Sequence, residues 1–420
     1  MSLEALFSRR RLARISVFAA AQVVVQAIAF ASGLILLRHM EIAEYGYYTL
    51  ATSMIGFANV LLDLGLAGAV IASGGPHHRE PRQLANLVAD AKALSTKFLL
   101  CGAPLLAVGY LLVFLKQGAD SLTSVALTVL AIGCACINTR STLLLSITRI
   151  QGNLKLQQRI DIFLNFSRLM LVISLSLVLI NAALAVLVNF LTALSMWITL
   201  RRHVAGNLGA IDKPTHGYDR QLVQFVRRQA PNSVYFCFVG QITVWIMSLT
   251  GSTEQVAALG ALGRLAVIFG ILGVVITAVV QPYFARGLTR REFLTGFNVV
   301  NLSFLIITSL VTVLALNSPH VLLWILGPNY SRLGPAVAWT VLSACISAWA
   351  GALYSIGAAK GWLVPFWVVV PIGLGTTALT SLLVDVSSVV GCLTINCAVA
   401  FAGFGMTFVL VAKNLAGWRK

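Results

Sequence analysis

The chain has 420 residues, of which 58% are apolar and 10% charged; its mean hydropathy is +0.89 and its formal net charge is +17. A soluble domain carries roughly 25% charged and 45–50% apolar residues, so a fold surrounded by water is excluded. The apolar runs also exceed the ~10-residue alternating strands of a membrane barrel, which leaves a bundle of spanning helices, each satisfying its own backbone.

A basic cluster, Arg9, Arg10, Arg11 and Arg14, precedes a first span at 15–37. No small-residue cleavage site follows it, so an uncleaved start is expected. Eleven further spans are predicted at 47–72, 91–115, 121–147, 158–180, 182–202, 226–250, 255–282, 296–317, 332–358, 361–383 and 387–412. The loops are short, and 318–331 is read as one of the longest outer loops. With the N-terminus in the cytoplasm, nearly every Lys and Arg falls on the inner side or at inner helix ends; the exceptions are Arg38, Lys116 and Arg332 outside and Arg264 within the membrane. That asymmetry predicts cytoplasmic termini and an even helix count. The positive charge is thus read as topology and attraction to anionic headgroups. It is not read as a nucleic-acid surface, because no stacking aromatics are interleaved with it.

A repeat divides the chain. Arg14 precedes Gly46 by 32 residues, Arg228 precedes Gly260 by the same interval, and an acid, Glu44 or Glu254, stands before each glycine. The expected fold class is an all-α membrane protein with two pseudo-symmetric six-helix halves around a central cavity. Its predicted parts are a cytoplasmic basic N-terminus (1–14), a first half (15–202), a cytoplasmic linker (203–225), a second half (226–412) and a cytoplasmic tail (413–420). Parallel repeats place a transporter's substrate site between the halves.

Polar residues recur inside the spans. The first carries Gln22 and Gln26, the second Asn59 and Asp63, and the fourth Asn138 and Arg140. The fifth carries Asp161, Asn165 and Arg168 on one helical face, the seventh Asn232, Tyr235 and Gln241, the ninth Asn298 and Asn301. Polar groups in a membrane face the bundle interior or a cavity. Each also has a plainer reading. Gln22 and Gln26 serve equally well as sugar contacts or as glue between helices. Asp63 suits a proton or sodium site, or a pairing with a basic residue on another helix. Arg140 lines a cavity or snorkels to the inner interface. Asp161 and Arg168 form a tether or a binding face. Trp245, Tyr235, Tyr354, Trp339 and Trp349 offer faces for sugar rings, or interfacial anchors.

The segment 254–286 organises the rest. Glu254 opens it, an apolar run continues to Gln281 and Pro282, and Arg286 closes it. Arg264 lies about ten residues in, roughly 15 Å deep at 1.5 Å per residue. A guanidinium there costs about 2.5–3.5 kcal/mol on insertion scales. A water-filled cavity, or a neighbouring carbonyl or acid, accommodates it. Gly260, Gly263, Gly270 and Gly273 are expected to give the helix a thin side for a close neighbour.

The seven cysteines all lie in apolar runs without metal spacing and are read as packing residues. No Gly-rich phosphate loop, Ser/His/Asp set or pair of aqueous carboxylates appears, so neither an enzyme nor a cofactor is expected.

The stretch from Arg38 through Glu44, Tyr45, Gly46, Tyr47 and Tyr48, then Leu62, Asp63, Leu64, Gly65 and Leu66, resembles the start of polysaccharide-biosynthesis flippases. These are the Wzx-type members of the multidrug/oligosaccharidyl-lipid/polysaccharide exporter superfamily. Gly260, Gly263 and Arg264, the Gln281 and Pro282 helix end, and Leu326 to Tyr330 also resemble that family. The resemblance implies a rocker-switch transporter in a bacterial inner membrane, and an undecaprenyl-pyrophosphate-linked oligosaccharide as cargo. Coupling to a proton or sodium gradient is a further expectation, with Asp63 as the ion-coupling candidate from its depth in the second span. It also implies a polysaccharide polymerase and glycosyltransferases as partners. The cavity candidates for substrate are Arg264, Arg168, Arg140, Asn165, Gln22, Gln26 and Gln241. The lipid II flippase branch has two further helices that this chain lacks. The alternatives are a cation or multidrug extruder, for which Asp63 is essentially the one deep acid, and a membrane polymerase, for which the outer loops are short.

Overall fold

The computed structural model describes residues 9–75, 77, 80–151, 154–177, 180–208, 214–215, 217–276, 280, 284, 289–360, 362 and 364–417. Gln281, Pro282 and Arg286 lie outside the described residues, as do Arg79 and Lys213. The described residues form helices and no strands. In chain order these are α1 (Arg9–His39), α2 (Ile42–Asp63), α3 (Leu66–Gly74), α4 (Pro81–Lys116), α5 (Ser121–Ile150), α6 (Leu154–Ser176) and α7 (Ala182–Leu208). There follow α8 (Asp219–Thr250), α9 (Thr253–Val275), α10 (Arg290–Asn317), α11 (Pro319–Leu326), α12 (Gly334–Ala359), α13 (Phe366–Leu383) and α14 (Val389–Ala416). Among the described residues, nine helices are long and apolar enough to cross a membrane, or ten counting the bent pair α2–α3. Leu105, Leu122 and Leu382 are 77%, 79% and 85% exposed, as expected of side chains whose solvent is lipid.

Two elements differ from expectation. The second span is broken: α2 and α3 meet at 46°. The Asp63 carboxylate accepts hydrogen bonds from the backbone N–H groups of Gly65 (3.1 Å) and Ala67 (3.2 Å), and so caps the start of α3. Leu64 and Gly65 take positive φ, 47° and 83°, and turn the chain there. The expected loop 318–331 is helical instead. Pro319 opens α11, and a 3-10 turn over Pro328–Leu333 follows. Elsewhere the helices run past their apolar stretches. α4 begins with Pro81 in its first turn, ten residues ahead of the predicted span; these first turns pack Leu84, Leu87 and Val88 against other helices and bury Asp90, a mixed segment that hydropathy alone does not mark.

The chain forms two compact units, Met1–Arg38 with Ala258–Lys420, and His39–Ala257. α1 thus groups with the later helices, and α8 with the earlier ones, whereas the sequence division runs through the linker at 203–225. In the His39–Ala257 unit, the core of α3 to α8 includes Leu66, Val70, Leu84, Leu87, Leu144 and Leu222. Gly46 gives α2 its close approach there: a Cβ would lie 2.5 Å from the Thr253 carbonyl oxygen. The Glu44 carboxylate accepts the Ala182 N–H at 2.6 Å and so caps α7. In the other unit, Phe284, Phe293, Phe297, Leu353, Ile356 and Val411 pack α10, α12 and α14 together.

Of the cysteines, Cys101 is exposed on α4 rather than packed; the other six are buried or half-buried thiols.

Candidate functional site

Arg264 stands eleven residues after the start of α9, half-buried. Its guanidinium is directed at α1 and lies over Gly33. A Cβ at that glycine would come within 2.8 Å of Nη1 and 2.9 Å of Cζ. Nothing larger than hydrogen fits there without moving the arginine. Gln22, Gln26 and Gly33 fall on one stripe of α1, at steps of four and seven residues. Gln26 and Gly33 are therefore about 10 Å apart along the axis. Both glutamines are half-buried and make no hydrogen bond to a described residue. The Arg264 guanidinium thus lies on the stripe of α1 that also presents two neutral amides.

Sequence reasoning missed Gly33. Its signal was a glycine inside a 31-residue helix, where it costs up to about 1 kcal/mol relative to alanine. Two of the α9 glycines, Gly263 and Gly273, do not supply the expected close approach. A Cβ at Gly263 or Gly273 would meet no described atom within 4 Å.

Gln241 belongs to the other unit. Its Oε1 accepts a 2.6 Å hydrogen bond from the Ser53 hydroxyl, which ties α8 to α2. A cavity of about 420 Å³ opens beside this pair, lined by Gly56, Val60, Gln229, Ser233, Cys237 and Gln241 among others. Its lining is neutral. Trp245 packs against Phe57 and Tyr110, and its indole N–H is buried without a partner among the described residues.

The remaining candidates are separately engaged. Arg140 donates to the Lys92 carbonyl (3.1 Å) and the Thr96 hydroxyl (2.8 Å), and so braces α5 on α4. Arg168 donates to the Tyr48 hydroxyl at 3.1 Å rather than to Asp161, and its Nε is buried without a partner among the described residues. Asn165 bonds the Asp161 carbonyl one turn back at 2.8 Å. Trp349, half-buried, donates to Asn301 at 2.9 Å and stacks on Phe304. Trp339 and Tyr354 are exposed.

Both Asp63 oxygens are held by backbone N–H groups. Asp63→Asn should therefore cost about 1 kcal/mol of stability through the lost cap. Thermal unfolding of the variant in detergent checks this; a melting temperature equal to wild type would mean that the carboxylate does not hold the start of α3.

No protein-family model matches the sequence, and no curated protein does. Solved structures do match. An inward-facing multidrug resistance MATE transporter of the MOP superfamily aligns with 94% of this chain and 96% of its own, at 11% identity and TM-score 0.68. The lipid II flippase MurJ, in an inward closed conformation, aligns with 95% of this chain and 87% of its own, at 11% identity and TM-score 0.74. A MOP-superfamily transporter from Pyrococcus furiosus aligns at 13% identity and TM-score 0.61 over 96% of this chain and 95% of its own; its binding pocket is described as reversed in polarity, suggesting a different function for that protein. At such identities the likeness is one of architecture. The chain is an all-α, multi-pass membrane protein with the fold shared by MATE and other MOP-superfamily transporters.

Proposed function

We propose that the protein is a flippase. Its cargo is an undecaprenyl-pyrophosphate-linked oligosaccharide repeat unit, moved from the inner to the outer leaflet of a bacterial inner membrane for surface polysaccharide assembly. Arg264 carries this reading. A guanidinium deep in an apolar helix is expensive, and its planar fork suits the two phosphates of a pyrophosphate. From α9 it lies against the stripe of α1 that carries two uncharged amides, Gln22 and Gln26, which suit sugar hydroxyls. The neutral cavity beside Ser53 and Gln241 adds a second polyhydroxyl-compatible surface. Transport proceeds by alternating exposure of the cationic site to the two sides, driven by a proton or sodium gradient. Glycosyltransferases would supply the cargo and a polymerase would consume it.

A cation extruder fits less well. It needs acids free to receive a positive charge, and Asp63 is occupied as a helix cap. Deleting the gene in its host separates the two. Loss of surface polysaccharide, with lipid-linked repeat units accumulating in membrane extracts, is the expected result. Intact polysaccharide with new sensitivity to cationic dyes would replace the flippase reading by the extruder.

A further inference from the structure

A second pocket lies far along α1 from the glutamines, where the helix meets α11. It measures about 420 Å³ and is lined by Arg38, His320, Leu323, Trp324, Gly327 and Ser331, among others. Arg38 is held rigidly. Its Nε donates to the Ile325 carbonyl (3.2 Å), and Nη2 donates to the carbonyls of Trp324 (2.7 Å) and Ile325 (2.9 Å). The guanidinium also stands 5.8 Å over the Trp324 ring. These contacts cap the end of α11. They leave Nη1 without a partner among the described residues. The side chains of His320 and Ser331, in the same pocket, make no hydrogen bond to a described residue either. Capping alone explains neither group.

The surroundings select the ligand. Arg38 follows directly on the apolar run that ends at Leu37. Trp324 is 77% exposed, and Val313, Leu314, Leu316 and Val321 on α10 and α11 are exposed as well. An exposed tryptophan beside exposed aliphatics and an arginine is the signature of a membrane–water boundary. We propose that this pocket binds the phosphodiester headgroup of an anionic phospholipid, its phosphate on Arg38 Nη1, His320 and Ser331 and its acyl chains on the α10–α11 apolar surface. Net negative charge on the lipid is required, since Arg38 is cationic and no acid is among the described residues that line the pocket. The site belongs to the bilayer around the protein and does not depend on the identity of the cargo.

The test uses purified full-length protein in an uncharged detergent. Microscale thermophoresis would follow titration with dioctanoyl phosphatidylglycerol, dioctanoyl phosphatidylcholine and inorganic phosphate. Phosphatidylglycerol should bind more tightly than either of the others. The double variant His320→Ala/Ser331→Ala should weaken it by about tenfold or more, the size of one lost charge-assisted hydrogen bond, while the unfolding temperature stays unchanged. Arg38→Gln should weaken it further and loosen α11. Equal binding of the two lipids, or a double variant that binds like wild type, overturns the proposal. Inorganic phosphate binding as well as phosphatidylglycerol also overturns it, and makes this a site for free anions.

Discussion

Gly33→Leu should abolish transport as fully as Arg264→Ala does, although it removes no charge and no polar atom. The effect is steric. The Arg264 guanidinium occupies the space into which a side chain at residue 33 would grow, with a Cβ already within 2.8 Å of Nη1. Leucine adds three more carbons to that clash. The arginine must swing away, and its charge then leaves the stripe of α1 that carries Gln22 and Gln26. Gly33→Ala should be intermediate, because a long, flexible side chain can retreat from a methyl group by a few tenths of an ångström. Arg264→Lys keeps the charge but loses the fork, and should transport poorly. Surface polysaccharide and lipid-linked intermediates in a host deleted for the gene provide the readout, with membrane insertion checked by immunoblot. The double variant Gly33→Leu/Arg264→Ala should be no worse than either single, since both act through one guanidinium. Wild-type polysaccharide from Gly33→Leu would break the link between this arginine and transport.

That pair shows what a sequence can and cannot disclose here. Arg264 was legible because a charge inside an apolar helix stands out against its neighbours. Gly33 was not, because the contact joins residues 231 positions apart and glycine leaves no chemical mark. Arg140 and Arg168 carried the same signal as Arg264, and each is hydrogen-bonded to another helix, Arg140 to Lys92 and Thr96 on α4 and Arg168 to Tyr48 on α2. Hydropathy registers the cost of a buried charge; it does not register which hydrogen bonds offset that cost. The spans themselves were readable, since lipid thickness sets a minimum apolar length. The α2–α3 break was not, because Asp63 looks like an intramembrane acid until its backbone partners are known. The helical segment α11 was missed for a related reason: at eight residues it is too short to carry a periodic signal.

Asp90→Ala is expected to be the most damaging single substitution for stability. Asp90 lies on α4 and is fully buried. Its Oδ1 accepts the Thr215 N–H at 2.7 Å, and its Oδ2 accepts the Tyr218 N–H at 3.0 Å and the Thr215 hydroxyl at 3.3 Å. Both N–H groups stand just ahead of α8, so a carboxylate 125 residues away moors the entry to that helix. Burial, then the charges of Glu80 and Asp90, pushes the nearby Tyr218 phenol above its usual range. Hydrogen bonds to a charged group contribute about 1.5–3 kcal/mol each, and the orphaned donors add a desolvation cost of their own. A total loss of about 3–5 kcal/mol follows for alanine. Asp90→Asn keeps one carbonyl acceptor and replaces the other by a donor that faces an N–H, so it should lose at least half of that. Thermal unfolding of the purified variants in detergent gives the order wild type, then Asn, then Ala, with the alanine form several degrees below wild type. An alanine variant that melts with wild type would mean that α8 is placed by its apolar face on α2 and α3, and that the buried carboxylate holds nothing in position.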